Sequence, residues 1–238
     1  MSDMGAAFIT GGTGAIGAVV TRAFLGAGYR VAVTYRGAKE WDALAAAEAE
    51  AARDGRLLGL ATDVTDEASV AASVERAAAA LDGLRILVHV AGGHAGGVNV
   101  EALDAQTVRG MIDLNLVSAF WAAKHVVPHA KRSGRGRLLF FSSRGAIECY
   151  PGAAPYAAAK AGLHALVLTL AHELKRSGVT ANAVMPSLVD TPANRASIPD
   201  GSFGDWVKPE AIADLLLYLA SDAAAATSGA LVPIYGRA

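Results

Sequence analysis

Short β-branched or aliphatic runs alternate along this chain with long alanine-rich stretches whose apolar positions recur at helical spacing. That alternation is the pattern of βαβ units, which build a parallel sheet covered by helices on both faces. The runs predict strands at about Ala6–Thr10, Arg30–Tyr35, Leu57–Ala61, Arg85–Val90, Arg137–Ser142, Thr180–Val184 and Leu231–Ile234. Helices are predicted between them at about Gly14–Ala27, Lys39–Asp54, Asp66–Leu81, Asp104–Lys131, Ala154–Ser177 and Pro209–Ala220. Several ends carry their own signals: Asp66 before Glu67 at one start, Gly28 and Gly55 just past two ends, and Pro209 in a first turn. The expected architecture is α/β, a single-domain Rossmann fold over residues 1–238 with a seven-stranded parallel sheet.

The stretch 186–208 breaks the pattern, with three prolines and several polar residues between the sixth strand and the last helix. A loop of that length in a compact domain is usually functional. Right-handed crossovers place it, the carboxyl ends of the strands and the Ala154–Ser177 helix along one edge of the sheet, where open α/β folds bind ligands.

Composition narrows the function. With 53% hydrophobic and 18% charged residues the chain has apolar mass for one large core, and no linker divides it. The net charge of -1 comes from dispersed charges without a polybasic run, so nucleic acid is not an expected partner. Neither a signal peptide nor a membrane span is legible in the sequence, so a membrane is not an expected partner either. Cys149 is the only cysteine, which excludes an intramolecular disulfide and suits a cytoplasmic protein. The six histidines form no cluster of metal-ligand spacing, so no metal is expected.

Tyr156 and Lys160 lie four residues apart in Tyr-Ala-Ala-Ala-Lys, with Ser143 thirteen positions upstream. Helical spacing stacks the first two side chains on one face. An ammonium about 4 Å from a phenol in a partly desolvated cleft could supply the roughly 4 kcal/mol that brings its pKa toward neutrality. Such a tyrosine can move a proton onto or off a carbonyl oxygen. The segment Ala6–Gly17 runs from the first strand into a helix through a glycine-rich turn, where Gly11, Thr13, Gly14, Ile16 and Gly17 can cradle a pyrophosphate against the helix dipole. At the end of the second strand, where a ribose reader is normally acidic, stands Arg36, with Lys39 nearby; this favours NADP(H) over NAD(H). Asp63 and Val64 follow the third strand, placed to meet an adenine, while Asp63 could equally serve the following turn.

Together these motifs resemble the short-chain dehydrogenase/reductase family across nearly the whole chain. Thr10–Gly17 is similar to its coenzyme loop, Ala91-Gly92 to the end of its Asn-Asn-Ala-Gly element, and Asn115, Ser143, Tyr156 and Lys160 to its catalytic tetrad. The resemblance implies that Tyr156 exchanges the proton, Ser143 hydrogen-bonds the substrate oxygen, Lys160 holds the nicotinamide ribose and lowers the phenol pKa, and Asn115 positions a relay water. It also implies cofactor contacts from Pro186, Val189 and Thr191, and a homodimer or homotetramer built through the long helices. Three departures stand out: Ala15 in place of the usual second glycine, His89-Val90 in place of Asn-Asn, and Ser187 in place of the glycine after Pro186. Val90–Gly97 and Asp190–Asp200 are locally similar to dihydropteridine reductases, which makes pterin reduction an alternative to reduction of a ketone or imine. The substrate is expected to be a small molecule, with His94, Arg144, Cys149 and Trp206 as candidate contacts. A cofactor-binding regulator without turnover is the competing class, against which the intact Asn-Ser-Tyr-Lys set argues.

Overall fold

The computed structural model, which describes residues 4–237, contains a strand at each of the seven predicted places. They are β1 (Ala6–Thr10), β2 (Arg30–Tyr35), β3 (Leu57–Ala61), β4 (Ile86–His89), β5 (Arg137–Phe141), β6 (Thr180–Pro186) and β7 (Leu231–Ile234). All pair in parallel in the order β3-β2-β1-β4-β5-β6-β7. Strand order reverses between β1 and β4, and at such a reversal the connecting segments part and leave a crevice at the carboxyl ends.

Successive side chains of each strand point to opposite faces. Phe8, Ala32, Leu87, Leu138 and Phe140 therefore enter one core layer, while Ile9, Val31, Val33, Val88 and Leu139 enter the other. The helices that close these layers are α1 (Ala15–Gly26), α2 (Ala38–Ala47), α3 (Ala49–Arg53), α4 (Glu67–Ala80), α5 (Ala105–Ile112), α6 (Ser118–Ser133), α7 (Gly145–Glu148), α8 (Ala154–Glu173), α9 (Pro192–Ser197) and α10 (Pro209–Ala220). Residues of α4, α6 and α8 cover the first layer, and those of α1 and α10 the second. Among the described residues no helix is long and apolar enough to cross a membrane.

Three predicted elements differ in ways that shape the crevice. The helix expected over Lys39–Asp54 breaks at Glu48, where ψ turns to 41°, although no glycine or proline marks the place. The long helix expected from Asp104 is interrupted by a π turn at Asp113–Val117 and runs on to Ser133, where Gly134 ends it in the left-handed conformation with φ 66°. The loop 186–208 contains α9 and a bridge between Val189 and Val207. It is held by charge: Asp190 receives the Arg195 guanidinium at 2.5 and 2.9 Å and the Lys208 ammonium besides.

Candidate active site

The β1–α1 turn shows which of its glycines serve packing. Gly11 has φ 64°, and its N–H donates to Thr34 Oγ1 at 2.9 Å, tying the turn to β2. A Cβ on Gly17 would lie 2.0 Å from the Gly11 carbonyl oxygen, and one on Gly12 would lie 2.6 Å from Val33 Cγ1. Gly14 is different, because a Cβ there would meet only the Gly11 oxygen, at 3.4 Å. No side chain caps α1, so its first N–H groups remain as donors at the turn. From this turn a cleft of about 980 Å³ runs along the carboxyl ends of the strands, between the Arg36 end of β2 and the loop 186–208.

The cleft is also lined by the four polar residues of the candidate catalytic set: Asn115 from the π turn, Ser143 from the segment after β5, and Tyr156 and Lys160 from α8. Asn115 is fully buried in the π turn, where Nδ2 donates to the Met111 carbonyl at 3.0 Å and Oδ1 accepts from Gly93 N–H at 3.1 Å. π turns recur at functional sites because the extra residue frees a side chain from the regular helix face. Gly92 allows this approach, since a Cβ there would sit 2.8 Å from Asn115 Oδ1 and 3.3 Å from Lys160 Nζ. Lys160 donates to the Phe141 carbonyl at 2.7 Å, and its burial pushes the ammonium down to about 8. Its Nζ lies 5.9 Å from the Tyr156 ring centroid. Ser143 accepts from Gly145 N–H at 3.0 Å and hydrogen-bonds the Tyr156 phenol. Burial nevertheless holds that phenol above its ordinary value, outweighing the Ser143 hydrogen bond. The expectation of a phenol brought toward neutrality by lysine is therefore not met by the protein's own groups, because desolvation is the larger effect.

His89 accounts for the missing amide pair. Its ring is fully buried, with Nδ1 3.0 Å from Thr10 Oγ1 and Nε2 3.1 Å from Ser118 Oγ. Ser118 donates to the Leu114 carbonyl at 2.6 Å, so it accepts from a protonated Nε2, and Nδ1 accepts from Thr10. One neutral tautomer satisfies the chain from Thr10 to the π turn. Burial, with Lys160 nearby, pushes the imidazole down to about 3. An unfolded histidine takes up its proton near pH 6.5, so between about 3 and 6.5 the unfolded state binds more protons and stability falls with falling pH. Chemical denaturation at pH 7 and pH 5 is expected to show a loss of about 2 kcal/mol from this residue, reduced in His89→Gln.

Of the residues expected to meet a cofactor, Gly11, Thr13, Gly14, Ile16, Gly17, Arg36, Val64, Ala91, Gly92, Pro186, Val189 and Thr191 line the cleft with Tyr156 and Lys160. Asp63 does not; its carboxylate turns back to accept from the Thr65 amide at 2.9 Å and hydroxyl at 2.7 Å, the service to the turn that the sequence left open. Thr191 also caps α9, accepting from Asn194 N–H at 3.2 Å. Among the candidate substrate contacts, His94 and Arg144 line the cleft, and Arg144 pairs with Glu148 at 3.1 Å. Cys149 and Trp206 lie outside it. Cys149 faces a neighbouring cavity, and Trp206 is 6% exposed beneath Phe203, where it serves as the small core of the loop. Sequence reasoning missed Tyr150 and Glu40, which both line the cleft. Tyr150 OH is 3.2 Å from His94 Nε2, and the His94 ring stands edge-on to Tyr156 with centroids 4.9 Å apart. A tyrosine six positions before a helical tyrosine carries no local signal; the two loops that bring it there meet through Gly97 N–H and the Gly152 carbonyl at 3.0 Å.

Residues 5–201 match the family model for short chain dehydrogenase. The chain belongs to that family. The short-chain dehydrogenase is 34% identical to 4-formylbenzenesulfonate dehydrogenase of Comamonas testosteroni, over 97% of this chain and 96% of the relative. It is 30% identical to a 3-oxoacyl-[acyl-carrier-protein] reductase of Mycobacterium bovis, over 96% and 90% of the two chains. Among solved structures, a short-chain type dehydrogenase/reductase from Mycobacterium ulcerans superposes with a TM-score of 0.92 at 25% identity, covering 98% of this chain and 89% of that one. A Serratia marcescens short-chain dehydrogenase/reductase gives 0.89 at 31% identity, covering 98% and 97%. The protein is thus a short-chain NAD(P)-dependent oxidoreductase with a Rossmann-type fold.

Proposed function

We propose that this short-chain dehydrogenase reduces a carbonyl group with NADPH, using Tyr156 as proton donor, Ser143 as oxyanion partner, and Lys160 and Asn115 to hold the site. The observation that carries this reading is the convergence of all four side chains on one cleft that begins at the glycine turn. Residues fit the dinucleotide: Gly14 leaves the backbone open toward the cleft, the uncapped start of α1 offers N–H donors to a pyrophosphate, and Arg36 borders the far end. When bound, NADPH supplies the hydride. Alkoxide character that develops on the carbonyl oxygen is stabilised by the Ser143 hydroxyl and quenched by the Tyr156 proton. A phenol held protonated by burial is suited to donate to the oxygen of a carbonyl undergoing reduction. Names of relatives support the chemistry, since one is a 3-oxoacyl reductase and another a formylbenzenesulfonate dehydrogenase.

Pterin reduction is the alternative reading, carried by the local similarity of Val90–Gly97 and Asp190–Asp200; the first segment puts His94 on the cleft and the second supplies the Asp190 ion pairs of the loop 186–208. A small-molecule substrate, a cytoplasmic setting and assembly as a homodimer or homotetramer complete the proposal. Steady NADPH oxidation with a panel of ketones, quinones, imines and pterins tests it; no turnover with any of them would reject the enzyme reading. Arg36→Ala is expected to weaken NADPH binding about tenfold and NADH binding little, measured by fluorescence titration, because only the former carries a 2′-phosphate for the guanidinium. Equal losses would reject the cofactor assignment. Activity is also expected to decline above a pH of about 8, where the Lys160 ammonium loses its charge; a profile flat to pH 10 in kcat/KM contradicts the role of that lysine.

A further inference from the structure

Two opposite charges, Arg36 and Glu40, line the far end of the catalytic cleft, and both residues are exposed. Arg36 holds the place just past β2 where open α/β folds usually keep the acid that reads a ribose 2′-hydroxyl. Glu40 returns an acid to the same end of the cleft from the first turn of α2. Packing fixes that turn. Trp41 stacks on Tyr35 with centroids 5.7 Å apart and planes at 8°, and a Cβ on Gly59 of β3 would lie 2.4 Å from the Trp41 ring. Arg36 follows one of the stacked residues and Glu40 precedes the other, so the stack sets the two charges on one rim. Gly37 lies between them, and a Cβ there would meet Glu40 Oε2 at 2.1 Å, so the carboxylate covers the backbone next to Arg36. A second carboxylate stands within electrostatic reach: Asp63 is held below its ordinary value first by the Thr65 hydrogen bonds and also by the Arg36 charge. Lys39, on the turn with Glu40, does not line the cleft.

We propose that Glu40 is a cofactor-specificity residue, which accepts a hydrogen bond from the ribose 2′-hydroxyl of NADH and repels the 2′-phosphate of NADPH, so that the site takes both coenzymes. The proposal rests on the dinucleotide placement given above and deepens it, adding to Arg36 a second reader of opposite preference. The two groups suit different ligand atoms. A hydroxyl donates to a carboxylate, whereas a phosphate carries a charge of about -1.5 to -2 at neutral pH and presents acceptor oxygens. Arg36 attracts that phosphate while Glu40 opposes it, which leaves a small net preference where Arg36 alone would give a large one. A glutamate three positions past an N-cap also serves the start of its helix, and here Gly37 is the N-cap. Glutamine serves the helix start equally, so Glu40→Gln removes the charge and keeps the cap.

The test is fluorescence titration of NADPH and of NADH into the parent chain and Glu40→Gln, with no carbonyl compound present, so the result does not depend on the reduction chemistry. In the parent chain the two dissociation constants are expected to lie within about tenfold of each other, since the attraction of one charge is offset by its neighbour. Glu40→Gln is expected to bind NADPH about fivefold more tightly, because a carboxylate a few ångströms from a phosphate repels it even through water. NADH is expected to bind about fivefold more weakly, because a neutral amide oxygen accepts a weaker hydrogen bond than a carboxylate. The improvement for NADPH is expected to shrink between about 0.05 and 0.5 M salt, as screening shortens the reach of the charge. Opposite responses of the two coenzymes are the signature, since damage to the fold lowers both affinities. Both coenzymes moving in one direction, or neither moving by more than about twofold as for an ordinary surface substitution, overturns the proposal. Arg36→Ala, titrated alongside, keeps this result apart from the NADPH assignment. A loss of NADPH affinity there without the opposed responses in Glu40→Gln rejects the role of Glu40 alone. The reverse pattern leaves Glu40 in its role and removes Arg36 as the phosphate reader.

Discussion

In Tyr156→Phe, carbonyl-dependent NADPH oxidation is expected to fall by about a thousandfold, with NADPH affinity changed by less than about threefold. The substitution removes only the hydroxyl, so the ring still packs edge-on against His94. General acid catalysis is worth roughly 10² to 10⁴ in rate, and an interaction used only as the oxygen gains charge lowers kcat rather than raising KM. Ser143 would keep its hydrogen bond from Gly145. It could still contact a substrate oxygen, which is why some residual rate remains. Single-turnover measurement separates this outcome from slow product release. Turnover within a factor of ten of the parent enzyme would remove Tyr156 from the role of proton donor.

The second large effect contrasts two glycines of one loop. Gly17→Ala forces a Cβ to within 2.0 Å of the Gly11 carbonyl oxygen, a contact between backbone and backbone that no rotamer relieves. A loss of about 3 kcal/mol or more is expected, with cofactor binding lost in whatever still folds. Gly14→Ala places its methyl 3.4 Å from the Gly11 carbonyl oxygen, an ordinary contact, at a residue that lines the cleft. Its thermal midpoint is expected to stay close to that of the parent, since exposed substitutions away from packing usually cost within about 0.5 kcal/mol. NADPH affinity in Gly14→Ala is expected to drop about tenfold, because the added carbon stands where the proposed pyrophosphate approaches the backbone. Thermal melts and fluorescence titration of the two variants side by side decide this; equal behaviour would mean that the loop has no separate packing and ligand glycines.

The sheet was legible because a strand buried on both faces leaves an unbroken apolar run, and every one of the seven runs maps to a strand within two residues at its ends. Helix existence was equally plain, but interruptions were not. Glu48 sits between two alanines, and Asn115 lies in a stretch whose composition suits an ordinary helix. At the π turn the partner is tertiary, the Gly93 amide that donates to the Asn115 oxygen; the break at Glu48 has no explanation in the contacts around it. Motif residues could be read because their spacing is local: Tyr156 and Lys160 are one turn apart, and the coenzyme loop is contiguous. Tyr150 and His94 are 56 residues apart and meet only because two loops fold together, so only the histidine drew attention. Trp206 misled for the opposite reason, since a large aromatic in a substrate loop was here needed to give that loop a core.

The irregular turn at Asp113–Val117 also fixes a phase relation. Inserting one residue into a helix rotates everything beyond it by about 100° about the axis. α5 and α6 therefore present faces that no continuous helix could offer together, one toward α8 and the other toward α4 and β4. Shortening that segment by a single residue would restore a uniform rod while swinging the amide of Asn115 off the Gly93 N–H, so the chain keeps its irregularity at the one place where a straight rod would misdirect its chemistry.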